Sequence, residues 1–103
     1  MLLEKQIEKL QKKVRSEESG YPLMFSALGD NGRFAIFKLL TEHKDLCVTD
    51  ISRILNVSVP AASHQLKVLE TAGLVLRERM GQMICYCIKK DDPTVRVLLK
   101  MFK

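Results

Sequence analysis

The side chains able to do chemistry form two sets. Ser63, His64 and Lys67 are one, and Cys47, Cys85 and Cys87 are the other. On a helix, Ser63, His64 and Lys67 fall away from the apolar positions Ala62, Leu66 and Leu69. A hydroxyl, an imidazole and an ammonium presented together can hydrogen-bond base edges or phosphates. They do not make a nucleophile. The two histidines, His43 and His64, have no local partners for nucleophilic work, and no glycine-rich phosphate loop is present. An enzyme is therefore not expected, and neither catalytic residues nor a cofactor are assigned. Cys85 and Cys87 share one face of a strand about 7 Å apart, too far for an easy bond between them. They are either ordinary thiols on a half-exposed strand or a candidate thiol sensor. An odd count of three cysteines without Cys-x-x-Cys does not suggest a disulfide framework, and a reducing cytoplasm is the expected compartment.

The polar face needs a helix to carry it. Thr49 reads as an N-cap, with Ile51 and Leu55 at helical spacing behind it. Asn56 and Val57 make a turn. Ser58 caps a second helix, Pro60 suits its first turn, and Gly73 stops it. Helix, tight turn and helix over 49–72 is the plan of a DNA-reading helix-turn-helix, although an ordinary helical hairpin has the same spacing. The segments 74–79 and 82–88 then read as two strands around Met80-Gly81, a wing spanning 74–88. Alternation along the second strand turns Ile84, Tyr86 and Ile88 inward.

Several pieces together resemble one family. They are Ala27-Leu-Gly-Asp30, Arg33, Leu39-Leu40, Leu46-Cys-Val48, Ser63-His-Gln-Leu66, Leu69-Glu-Thr-Ala-Gly-Leu-Val75, and Gly81 followed by Tyr86. As a set, from about Ala27 to Ile88, they resemble the ArsR/SmtB repressors. The resemblance implies a homodimeric winged helix-turn-helix repressor that leaves its double-stranded DNA operator when an inducer binds. It places Val59, Pro60, Ser63 and His64 facing DNA. Val59 and Pro60 offer only apolar contact, such as to a thymine methyl. Lys67 would meet a phosphate, and Arg79 and Gln82 flank the wing tip, where an arginine can enter a minor groove. The family's metal sites are incomplete here. One uses Cys-Val-Cys, and this chain has Cys47 but Thr49. The other uses Asp and His on the last helix, and this chain has Asp91 and Asp92 but no histidine after His64. A hydroxyl is a poor soft-metal ligand, so no metal is assigned. The family usually has Pro-Thr where this chain has Asn31-Gly32. Gly32 weakens the helix start by up to about 1 kcal/mol relative to Ala, with no gain visible in the sequence.

The fold class expected is mainly α (α+β): a single winged helix-turn-helix domain over 1–103, with a β-hairpin wing and flanking dimerisation helices at 1–18 and 92–103. Leu3, Ile7, Leu10 and Val14 repeat at heptad spacing on the first helix, a narrow seam suited to pairing with a second copy. Glu8 and Lys12 add an i,i+4 pair. A short helix at 23–28 precedes Asp30, which caps the helix 31–42; Phe34, Phe37 and Leu40 share its core face, widened by Ile36 and Leu39. Asp91-Asp92-Pro93 opens the last helix. Val95, Leu98, Leu99 and Phe102 form its apolar face, expected beside the first helix in the dimer. A chain of 103 residues can bury roughly two-thirds of its unfolded surface in one core. Hydrophobic residues at 47% argue against disorder, and no apolar run is long enough for a membrane span. The net charge of +5 permits a polyanion partner, but the positives are spread out: residues 49–82 carry Arg53, Lys67, Arg77 and Arg79 against Asp50, Glu70 and Glu78. A winged-helix interaction module or adaptor that does not read DNA is the second reading. Sparse charge and the apolar Val59-Pro60 pair favour it; the Ser63-His-Gln-Leu66 segment and the basic wing favour DNA more.

Overall fold

Local capping sets where the helices begin. A computed structural model describes residues 1–102. Its elements are α1 (Glu4–Ser16), α2 (Tyr21–Leu28), α3 (Asn31–Glu42), β1 (Leu46–Cys47), α4 (Val48–Leu55), α5 (Val59–Thr71), β2 (Val75–Met80), β3 (Met83–Ile88) and α6 (Pro93–Leu99), followed by a 3-10 turn (Lys100–Phe102). Asp30, Ser58 and Asp92 each accept backbone N–H groups from the first turns of α3, α5 and α6. Thr49 does not cap α4. The cap is Cys47, whose own N–H donates to the Asp50 carboxylate at 3.0 Å, because β1 runs straight into the helix. The turn of the motif is closed twice. Val57 N–H donates to the Ser52 carbonyl at 3.0 Å, and the buried Ser52 hydroxyl donates to the Val57 carbonyl at 2.6 Å. Asn56 takes the left-handed conformation between them, with φ 55°. Gly73 does the same after α5, at φ 81°, where a side chain would be strained.

The strands form one antiparallel sheet in the order β1-β3-β2, with β2 and β3 as the wing hairpin. This is a winged helix-turn-helix. Its core gathers Ile36, Phe37 and Leu40 of α3, Ile51 of α4, Ala62, Leu66 and Leu69 of α5, Leu74, Val75 and Tyr86 from the sheet region, and Val95 and Leu98 of α6. Ile84 and Ile88 pack against it, as expected along β3, but Cys85 on the opposite face is buried as well, so burial does not alternate cleanly. Phe34 departs from expectation. It is exposed and meets Phe102 at 5.6 Å between ring centroids, while Phe37 takes the core position. On α6, Val95 and Leu98 are buried in this chain's own core, with Leu99 and Phe102 packed on it. Among the described residues α1 has no cover. Leu3, Ile7, Leu10 and Val14 are all exposed, and its ion pair is Lys13–Glu17 at 4.0 Å rather than Glu8–Lys12. No helix among the described residues is long and apolar enough to cross a membrane.

One polar network fixes α5 against α2 and α3. Arg33 donates through Nε to the Ala27 carbonyl at 2.7 Å and through Nη1 to Gln65 Oε1 at 3.0 Å. Gln65 Nε2 donates to Asp30 Oδ2 at 3.1 Å, which also accepts the Arg33 N–H at 3.0 Å. Gly32 belongs here. A Cβ on it would sit 3.2 Å from Asp30 Oδ2 and 3.3 Å from Gln65 Nε2, so the glycine that weakens the helix start leaves room for the Asp30–Gln65 bond.

The Arg33 N–H above all, with the Arg33 charge and the Gln65 amide, holds the Asp30 carboxyl below its ordinary value against the opposing effect of burial. A lowered folded pKa gives stability that is fully present above the unfolded value of about 3.9 and is lost as pH falls through the folded one. Asp30→Asn removes this contribution. Urea midpoints measured from about pH 5 down to about pH 3 should therefore fall more steeply for the wild type than for Asp30→Asn; equal slopes would show that the network does not hold the charged form.

Candidate nucleic-acid interface

Helix α5 divides its side chains cleanly. Ala62, Leu66 and Leu69 are buried, while Val59, Pro60, His64 and Lys67 are exposed and Ser63 is half-buried. The network through Gln65 sets this rotation, since turning α5 about its axis would break the bonds to Arg33 and Asp30. The sheet sorts charge in a similar way. Arg77 and Arg79 pair with Tyr86 and Ile84, while Glu78 pairs with Cys85. Alternation therefore puts the two arginines on one face of the hairpin and the glutamate on the other. Positive charge that looks diluted along the sequence is gathered on the side facing α5.

A cavity of about 360 Å³ lies between α5 and the wing. Val59, Ser63 and Lys67 line it from the helix and Arg77, Gln82 and Met83 from the wing, with Thr49 at the start of α4. Four of the expected residues thus share one notch: Val59, Ser63, Lys67 and Gln82. His64 does not enter it. It lines a neighbouring cavity with Lys67 and Arg33. Pro60 lies exposed at the first turn of α5, and Arg79 folds across the wing turn, its Nε donating to the Gly81 carbonyl at 3.3 Å. Arg77 and Thr49 were not among the expected contacts. Arg77 was legible, because it lies two residues from Arg79 and so shares its face.

The cysteines are arranged differently from expectation. Cys47 and Cys85 are opposite one another in the β1–β3 register and are joined by a disulfide. The odd count hid this pair, because strand register, not spacing along the chain, brings the two together. Cys85 and Cys87 therefore do not act as a pair of like thiols. Cys87 stays free, and its thiol donates to Glu78 Oε1 at 3.7 Å. Burial, then the Glu78 and Asp45 charges, push the Cys87 thiol up. Ligand atoms of Asp45, Glu78 and Cys87 lie within 4.8 Å of one another on the far side of the hairpin, along a larger cavity of about 900 Å³. These residues belong to neither metal site implied by the family resemblance, and a cation there would have to displace the thiol proton.

Comparison with known proteins agrees with this geometry. Residues 30–76 match the family described as bacterial regulatory protein, arsR family. The chain is similar to the cadmium resistance transcriptional regulatory protein CadC homolog of Staphylococcus aureus, with 32% identity over 77 residues, covering 75% of this chain and 62% of that protein. Against several curated relatives it spans between 55% and 64% of their length. An HTH-type transcriptional regulator of Methanocaldococcus jannaschii is 36% identical over 78 residues, covering 76% of this chain and 85% of that protein. Among solved structures, the transcriptional repressor PagR of Bacillus anthracis superposes with a TM-score of 0.68 at 26% identity, covering 82% of this chain and 93% of that chain. With the motif, the wing and the network in place, the chain belongs to the arsR family of bacterial regulatory proteins.

Proposed function

We propose that this protein is a sequence-specific DNA-binding transcriptional regulator, acting as a homodimeric repressor. The observation that carries the reading is the notch, in which an exposed recognition face on α5 and a basic face of the wing look onto the same space. A duplex laid there puts α5 in the major groove, Ser63 and His64 toward base edges, and Val59 and Pro60 against apolar base surface. Lys67 and Arg77 meet phosphates, and Arg79 and Gln82 sit where the wing tip reaches a minor groove. The similar proteins named as regulators and repressors support the same reading.

Two measurements on duplex DNA from upstream of the protein's own coding region test the DNA half. Ser63→Ala with His64→Ala should weaken specific binding by about 1–3 kcal/mol per lost base contact, with the fold intact because neither residue belongs to the core. Lys67→Ala should make the log–log salt dependence shallower by about 1.8, at about 0.9 per lost phosphate in each of two protomers. Unchanged affinity in the double variant would remove Ser63 and His64 from the contact set. Little DNA affinity at any salt would favour the adaptor reading, which the exposed apolar Val57 and Val59 otherwise allow.

The dimer half rests on α1. Thirteen residues of helix expose an apolar stripe of Ile7, Leu10 and Val14, which a second copy can cover seam to seam. The principal extents of 60 × 25 × 25 Å show how far the chain departs from a sphere. Ile7→Glu with Leu10→Glu would bury charge in that contact. In sedimentation at micromolar concentration the wild type should run as a dimer and the double variant as a folded monomer. A monomeric wild type would overturn the dimer.

A further inference from the structure

Strand β1 is two residues long, and its second residue, Cys47, is also the cap of α4. So short a strand adds few ladder bonds between β3 and the start of α4, beside the apolar packing of Val75 and Tyr86 on the helices. The pairing is reinforced covalently, because Cys47 is bonded to Cys85 of β3. We infer that Cys47–Cys85 is a reversible dithiol–disulfide site, exchanging with small thiols and small disulfides, whose bonded form holds the wing in place for DNA. The regulatory half of this inference rests on the DNA-binding reading above.

Access to the two cysteines is unequal. Cys85 is 1% exposed, whereas Cys47 is half-buried. An incoming thiolate therefore attacks Cys47 Sγ. The protein S–S bond breaks, a mixed disulfide forms on Cys47, and Cys85 leaves as a thiolate that takes up a proton. A second thiolate attacks the small-molecule sulfur of the mixed disulfide and releases Cys47. Two small thiols are oxidised to one small disulfide, and the protein gains two electrons and two protons. Formation of the bond runs the same steps in reverse, with a small disulfide as oxidant. Cys87 competes poorly for the mixed disulfide, since its thiol is engaged with Glu78 and is held protonated by burial and nearby carboxylates.

The coupling to DNA follows from what the bond joins. Helix α5 and the wing must engage one duplex together, and both border the notch. A wing clipped to α4 has less freedom to lose on binding, so the bonded form binds more tightly. By linkage, DNA must favour the bonded form by the same factor.

The test equilibrates the full chain with oxidised or reduced glutathione, counts free thiols by alkylation and mass, maps the linked peptides, and measures affinity for duplex DNA from upstream of its coding region. Oxidised protein should alkylate at Cys87 alone and yield a Cys47–Cys85 peptide pair; reduced protein should alkylate at all three cysteines. Reduction should weaken DNA binding by at least about fivefold, the low end of usual coupling. Cys47→Ser should bind like the reduced wild type under either condition, and Cys87→Ser should keep the response. Three alkylated cysteines under oxidised glutathione, or equal DNA affinity in both states, would overturn the inference and leave the DNA-binding reading intact. A changing thiol count with no DNA binding in either state would overturn the DNA-binding reading and leave the redox site.

Discussion

The hydrogen bonds that join Arg33, Gln65 and Asp30 decide how the recognition helix is presented. An apolar face alone places a helix loosely, because hydrophobic contact has little directionality. Ala62, Leu66 and Leu69 tell α5 which side to bury, and the Gln65 bonds to Arg33 and Asp30 pin its rotation and its position along α3. The same arginine reaches the last turns of α2 through the Ala27 carbonyl. Three helices are thus tied at one point, with Gly32 leaving room for the tie. The cost of a glycine in the first turn of α3 is offset where the network gains its geometry.

Given a fixed α5, the wing completes the interface by the simplest property of a strand. Residues two apart share a face, so Arg77 and Arg79 turn one way and Glu78 the other. Glu78 joins Asp45 and Cys87 on the far side, away from the proposed phosphate path. A nearly balanced run of charges therefore becomes a basic face and an acidic one. Apolar packing of Val75 and Tyr86 seats the base of the wing on the helices, while strand pairing adds only the two residue pairs of β1 with β3 and the Cys47–Cys85 bond.

What could be read from the sequence was local. Asp30, Ser58 and Asp92 cap helices through bonds spanning two or three residues, and their side-chain types announce it. The buried triplet of α5 follows from helical period, and the wing strands lie within one residue of their expected bounds. Thr49 was misread as a cap because nothing local shows that β1 passes into α4 without a loop. Phe34 was misjudged for a different reason. Periodicity says which side of a helix is apolar but not what will cover it; here Val95 and Leu98 are covered by the chain's own core, and no described residue covers the seam of α1. The Cys47–Cys85 pair and the purpose of Gly32 depend on contacts thirty or more residues apart, which spacing cannot reveal.

The central claim is that DNA lies across α5 and the wing, and amide shift mapping tests it most directly. Isotope-labelled protein would be titrated with duplex DNA from upstream of its own coding region at low salt. The account predicts perturbed amides from Val59 to Lys67 and from Arg77 to Gln82, with those of Leu3 to Val14 unmoved. Perturbations confined to α1 or to the Asp45, Glu78 and Cys87 side of the hairpin, or no perturbation at all, would contradict it.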